Sequence, residues 1–223
     1  MTGAIEITSE VFQVGGSELS HGSDAAVYLI RGDGEAALVD AGTGRGHDRI
    51  VRAIQSVGVP LEGVRRLFIT HCHYDHTGGA VRMKETTGCE IVAHELDACF
   101  LESGDSLTTA ASWYGTSMEP LEIDIKMEGR RAEFTVGNIE VVMHHTPGHS
   151  PGSTVLTLVS GGMKVLFGQD VHGPLNEVLR SDRADYVASL EYLLGLEADI
   201  LCEGHFGVFT GRDKVRDFIE SFL

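Results

Sequence analysis

The densest concentration of reactive side chains is the run His71-Cys72-His73-Tyr74-Asp75-His76. It follows Arg66-Leu67-Phe68-Ile69-Thr70, which reads as a short buried strand. In extended backbone, residues i and i+2 project to the same side, so His71 and His73 can converge on one metal ion while Cys72 points toward packing. The chain turns next, and Asp75 and His76 can face a second ion from that turn. Imidazole and carboxylate donors suit Zn²⁺, with Fe²⁺ or Mn²⁺ as alternatives. In a chain with 11 histidines, a chance H-x-H-x-D-H has a probability on the order of 0.002, which makes a merely histidine-rich surface turn a poor explanation.

Three further donors share one kind of setting. His149 lies in the Gly/Pro-bracketed loop Thr146-Pro147-Gly148-His149-Ser150-Pro151-Gly152-Ser153, Asp170 ends Val165-Leu166-Phe167-Gly168-Gln169, and His205 follows Ile200–Cys202. Each sits at the C-terminal end of an expected strand, where a rigid scaffold can aim a side chain.

The elements that must position these groups alternate between two kinds. Strands are expected at Ile5–Val14, 24–31, 35–40, 66–70, Glu90–Ala93, Glu133–Val136, Ile139–His145, Thr154–Val159, Met163–Phe167 and Asp199–Cys202. Gly32-Asp33-Gly34 and Ser160-Gly161-Gly162 read as hairpin turns. Helices are expected at His47–Val57, from a Thr77 cap to Thr87, from His94, near Arg183–Leu194 and at Arg212–Phe222. Residues 103–131 read as helix plus loop and as a substrate-facing insertion. Pattern alone supports an α/β chain, taken as one domain over residues 1–223; two sheets face to face with helices outside suit this order.

Composition narrows the class. The 17 Lys and Arg against 33 Asp and Glu give a formal charge of −16, which repels phosphate backbones and anionic membranes, so neither nucleic acid nor membrane is expected as a partner. No apolar stretch suits a membrane span and the N-terminal residues do not read as a signal peptide, so a cytoplasmic protein is expected. The four cysteines lack C-x-x-C spacing and are expected to be reduced and mostly structural. Among the other histidines, His94 reads as a helix start and His47 as a solvent-facing first-turn residue. His144 or His145 could stand behind the site, and His172 could reach the substrate. Tyr74 reads equally well as pocket lining or packing, while Trp113, Tyr114 and Met118 read as core.

Taken together, Thr70-His71-x-His73-x-Asp75-His76-x-Gly78-Gly79, Thr146-Pro147-Gly148-His149-Ser150, Gly168-x-Asp170, Gly204-His205 and the early turn Val39-Asp40-Ala41-Gly42 resemble the metallo-β-lactamase-fold hydrolases. The resemblance spans almost the whole chain and points to the glyoxalase II-like branch. It implies an αββα sandwich of two mixed β-sheets flanked by helices, with two divalent ions, Zn²⁺ first, along one edge. It assigns His71, His73 and His149 to one ion and Asp75, His76 and His205 to the other, with Asp170 and a hydroxide bridging them. Asp75 would also orient the nucleophile or shuttle a proton. Asp40 would hold a ligand histidine or the turn from behind, unless it merely caps the turn, and His172 belongs with it as a supporting residue.

The activity implied is hydrolysis of a small-molecule acyl substrate, a thioester or a lactone, through the metal-bridging hydroxide. Homo-oligomerisation stays open. The chain ends one helix after His205, short of the basic helical extension that the resemblance implies for full-length glutathione thioesterases, so glutathione is not expected. No tyrosine follows Asp170 at short distance as in the lactonases. The alternative is a mononuclear iron persulfide dioxygenase on the same fold, using His71, His149 and Asp170.

Overall fold

The computed structural model describes residues 3–223, with the backbone alone at residue 169. One sheet places seven strands side by side in chain order: β1 (Ile5–Glu6), β2 (Val11–Gly15), β3 (Val27–Arg31), β4 (Ala36–Val39), β5 (Val64–Phe68), β6 (Glu90–His94) and β7 (Ile125–Met127). Its first four strands pair antiparallel, and β4 through β7 pair parallel. Parallel neighbours need a crossover. The crossovers here are α1 (His47–Ser56), α2 (Tyr74–Thr77) with α3 (Ala80–Thr87), and α4 (Glu95–Ser103).

The second sheet holds β8 (Arg131–Val136), β9 (Ile139–His145), β10 (Thr154–Ser160), β11 (Met163–Gln169), β12 (Ile200–Glu203) and β13 (Val208–Thr210). Only β11 and β12 pair parallel among its described neighbours, and α5 (Arg183–Gly195) joins them. Helix α6 (Arg212–Glu220) closes the described chain.

Why the strands read as unbroken apolar runs is clear from the layers. Tyr28, Ile30, Val39, Phe68 and Val92 meet Val141, Met143, Leu156, Val165, Phe167 and Ile200 between the two sheets. The alternate residues Val27, Leu29, Leu38, Leu67 and Ile91 face outward onto Ile50 and Ile54 of α1, Met83 of α3 and Leu101 of α4. On the other side, Val155, Leu166 and Leu201 face Tyr186 and Leu190 of α5 and Val215 and Ile219 of α6. Strands buried on both faces lose the polar half of the period-two pattern. The result is the expected αββα sandwich, with about 1.5–3 kcal/mol of hydrophobic stabilisation for each large side chain fully buried.

Some local expectations need correction. Thr77 does not cap a helix running to Thr87; it ends α2, and its hydroxyl donates back to the His73 carbonyl at 2.9 Å. The helix restarts only after Gly78-Gly79, where the loop after β4 presses close: a Cβ on Gly79 would stand 2.4 Å from the Ala41 carbonyl oxygen. His47 is buried rather than solvent-facing, with Nε2 3.0 Å from the Thr86 hydroxyl of α3. Residues 103–131 contribute strand β7 and one 3₁₀ turn, Ala111–Tyr114, rather than further helix. Trp113 is exposed, not core, whereas Met118 is buried as expected. None of the described helices is long and apolar enough to cross a membrane.

Burial gives the fold a pH dependence away from the strand-end histidines. Burial, then the charges of Arg131 and Lys164, holds His144 below its usual value, while its nitrogens lie 2.9 Å from the Tyr192 and Thr157 hydroxyls. A depressed folded-state pKa means that the unfolded chain binds the proton first, so this stability is present above about pH 6.5 and falls away below it. The wild type should therefore exceed His144→Gln in urea midpoint at pH 8, and the gap should narrow by pH 5. A gap independent of pH would contradict the assignment.

Candidate metal centre

Every donor singled out by the sequence lies at one edge of the sandwich. His71 and His73 sit in the extended segment after β5, and Asp75 and His76 in the single turn of α2. His149 belongs to the β9–β10 loop, Asp170 directly follows β11, and His205 belongs to the β12–β13 turn. Backbone bonds lock these pieces across the two sheets. Thr154 donates its N–H and its hydroxyl to the Thr70 carbonyl at 2.8 and 2.9 Å. Ala25 N–H donates to the Asp75 carbonyl at 3.2 Å and Ala26 N–H to Gly204 at 2.8 Å.

One organising residue carried no local sequence signal. Asp97, buried in the first turn of α4, accepts from Cys72 N–H at 2.8 Å and from the Ser150 hydroxyl and Gly152 N–H at 2.6 Å each. It thereby fixes the His71–His73 segment against the His149 loop. Gly152 is required for this approach, because a Cβ there would lie 2.5 Å from the Asp97 nitrogen.

The side chains form two groups. Donor atoms of His71, His73, His149 and Asp170 all lie within 4.8 Å of one another, and so do those of Asp75, His76 and His205. Asp170 lies between the groups. One of its oxygens is 3.3 Å from His149 Nε2 and 3.8 Å from His71 Nε2, and the other is 3.1 Å from His76 Nε2 and 3.3 Å from His205 Nε2. Asp75 reaches His205 Nε2 at 3.3 Å.

Hydrogen bonding fixes which nitrogen of each ring carries the proton. Asp40 is fully buried, and its oxygens accept from Thr70 N–H at 2.9 Å, from the Thr70 hydroxyl at 2.8 Å and from His76 Nδ1 at 2.6 Å. With its own proton given to Asp40, the Thr70 oxygen accepts from His71 Nδ1 at 3.0 Å. His149 Nδ1 donates to the Pro174 carbonyl at 2.9 Å. In all three rings Nδ1 bears the hydrogen, and the Nε2 lone pair is left aimed into the centre. Asp40 thus bonds the His76 ring from behind.

Nε2 of His71, His73, His76 and His149, together with one oxygen of Asp170, are buried without a hydrogen bond among the described residues. An unmet buried polar atom costs about 1–3 kcal/mol, so five converging ones fit a bound cation far better than an empty core. Burial first, then the neighbouring rings, pushes His71 and His73 well below the usual imidazole range, which keeps them neutral. Burial would also lower His76, but Asp170, Asp75 and Asp40 outweigh it and raise it well above that range. For His205, burial would lower it, but the carboxylates of Asp170 and Asp75 beside its ring outweigh this and push it up to about 10. Burial would raise Asp170, yet the charge on His76 first, then the His149 and His205 rings beside it, hold it well below ordinary carboxylates. Protons on His76 and His205 occupy the place that a metal cation would take.

Two neighbours complete the site. His172 Nδ1 lies 2.7 Å from Glu203, a fully buried residue that the sequence reading passed over. Tyr114, expected in the core, is instead half-buried near Asp75; burial first, then that carboxylate, raises its phenol and keeps it protonated. Its ring lies 5.5 Å from that of Tyr74. His144 and His145 stay outside the centre: His144 is bound as described above, and His145 stacks on His94 with Nε2 2.9 Å from the Pro151 carbonyl.

The family model described as the metallo-beta-lactamase superfamily matches residues 22–205. The acyl-coenzyme A thioesterase MBLAC2 of Gallus gallus is 29% identical, covering 91% of this chain and 79% of that protein. The hydroxyacylglutathione hydrolase GloC of Haemophilus influenzae is 30% identical over 80% of this chain and 84% of its own length. Among solved structures, the MIM-2 metallo-beta-lactamase superimposes with a TM-score of 0.81 at 21% identity, covering 99% of this chain and 87% of that one, a likeness of fold.

Asp40 offers a direct test of the lone-pair logic. It sits at φ 61, a conformation that asparagine also tolerates, so Asp40→Asn preserves the backbone. The amide, however, would turn its N–H toward His76 Nδ1 and move the ring proton to Nε2. Metal affinity at neutral pH should fall by about 10–100-fold in a chelator competition. Unchanged affinity would show that Asp40 does not set the tautomer.

Proposed function

This chain belongs to the metallo-β-lactamase superfamily, and we propose that it hydrolyses a small-molecule acyl substrate, a thioester or a lactone, at a site for two divalent metal ions. The observation that carries this reading is the pair of donor groups meeting at Asp170, one on each side of a single carboxylate. His71, His73 and His149 would hold one ion, Asp75, His76 and His205 the other, and Asp170 would bridge them. Three imidazoles on one side, and two imidazoles with a carboxylate on the other, suit Zn²⁺ before Fe²⁺ or Mn²⁺. Such ions supply a hydroxide nucleophile at neutral pH and neutralise charge developing on the attacked carbonyl oxygen.

The chain's own residues account for positioning and proton handling. Asp40 and Thr70 fix the donor rings, so little reorganisation is needed when substrate arrives. Asp75, close to His205, would orient the attacking water and take its proton. Tyr114 presents a neutral phenol at the same carboxylate, in the insertion 103–131 that we assign to substrate contact. Relatives named as an acyl-coenzyme A thioesterase and a hydroxyacylglutathione hydrolase support acyl chemistry. The four free cysteines, three of them buried, suit a reducing compartment such as the cytoplasm.

A mononuclear iron dioxygenase using His71, His149 and Asp170 would leave the buried lone pair of His76 and the Asp75–His205 pair without purpose. That gives hydrolysis the preference. Metal-stripped protein should be inactive against a panel of thioesters, lactones and phosphoesters, and two equivalents of Zn²⁺ should restore cleavage of a thioester or lactone. Asp170→Ala should lower kcat by about 10³-fold or more without changing the circular dichroism. Activity that returns with one iron, with oxygen uptake on a persulfide, would overturn the proposal.

A further inference from the structure

Several histidines of this chain show two opposite hydrogen-bonding patterns. Away from the centre, four commit Nε2 to protein: His47 to Thr86, His94 to the Gly129 carbonyl, His144 to Thr157 and His145 to the Pro151 carbonyl. His71, His76 and His149 do the reverse, tying Nδ1 to an acceptor and leaving Nε2 free for a cation. His172 follows the second pattern, with Nδ1 2.7 Å from Glu203 and no hydrogen bond at Nε2 among the described residues.

We propose that His172, backed by Glu203, is an additional metal-binding imidazole that shares Asp170 and His205 at the outer side of the centre. One donor atom from each of Asp170, His172 and His205 lies within 4.8 Å of the other two. The His172 and His205 rings stand 5.2 Å apart, and the His172 side chain is 16% exposed. This inference rests on the metal-centre reading above.

Glu203 supplies the independent argument. It is 0% exposed, and its second oxygen accepts from His205 N–H at 2.7 Å and from Phe206 N–H at 2.9 Å. A buried carboxylate carries a heavy desolvation penalty, and among the described residues the ion pair at Glu203 is with His172. A ring that only packed against Phe206, 4.9 Å away, would gain nothing from such a costly anchor. Carboxylate, histidine and metal in series is a recurrent arrangement that orients the ring and raises its basicity as a ligand. Here the same carboxylate also shapes the turn that carries His205, so one buried group aims two donors.

Cobalt(II) titrated into metal-free protein, followed by its visible bands and by chelator competition, tests the assignment. His172→Ala should weaken one equivalent by about 10–100-fold and change its bands, leaving the other equivalent as it was. Glu203→Gln should do the same with the ring still present, because its amide would move the His172 proton onto Nε2. Should Glu203→Gln not fold, ¹⁵N-imidazole spectra of the zinc-loaded wild type give the answer directly: a metal shift at His172 Nε2 supports the proposal and an unshifted one overturns it. Unchanged affinity and bands in His172→Ala also overturn it, and a raised KM alone would assign the ring to substrate instead. If the wild type binds one equivalent, the two-ion reading fails separately; sensitivity of that equivalent to residue 172 would still support His172 as a ligand, and insensitivity would reject it.

Discussion

The buried carboxylate of Asp40 is the interaction on which the arrangement of the centre depends. Because β4 and β5 run parallel, their C-terminal ends lie side by side, and Asp40 reaches from one to the other. It bonds the backbone and hydroxyl of Thr70 and the Nδ1 of His76. Through Thr70 it also determines the proton on His71. Two donor rings thus have Nδ1 tied to an acceptor behind them, which leaves Nε2 turned toward the centre before any cation arrives. Asp97 acts likewise on the backbone, joining the β5–α2 segment to the β9–β10 loop.

Charge explains why such a centre needs an occupant. Asp40, Asp75 and Asp170 are gathered with four histidines in the dry edge of a sandwich whose net formal charge is −16. Without a cation, protons must stay on His76 and His205 to balance the carboxylates, although burial disfavours both. Divalent ions remove that conflict, since they satisfy lone pairs and carboxylates together. The sandwich contributes rigidity: donors come from strand ends and short turns of both sheets, and backbone bonds such as Thr154 to Thr70 keep the two sheets in register at this edge.

The strand-end donors were legible because strand geometry and residue type suffice to place them. His71 and His73 share a side through the extended backbone, and His149, Asp170 and His205 each follow a run of buried apolar residues. Asp97 and Glu203 were not legible, since their partners are remote in sequence: Glu203 meets His172 across 31 residues and Asp97 meets Gly152 across 55. The same distance effect misled the reading of His47, whose burial depends on Thr86 of another helix. Thr77 looked like a cap because local chemistry allows it; the close packing of Gly79 on Ala41 decides otherwise. Tyr114 and Trp113 show the limit of composition, as adjacent aromatic residues of one 3₁₀ turn take opposite fates, one beside Asp75 and one in solvent.

The central claim is that Asp170 stands between two ions rather than beside one. X-ray absorption spectroscopy of protein loaded with two equivalents of Zn²⁺ tests it most directly. The account predicts nitrogen and oxygen ligation together with a metal–metal distance of about 3.5–4 Å, as expected for ions that share a bridging carboxylate. A spectrum fitted by isolated ions, with no metal–metal scattering at full loading, would contradict it.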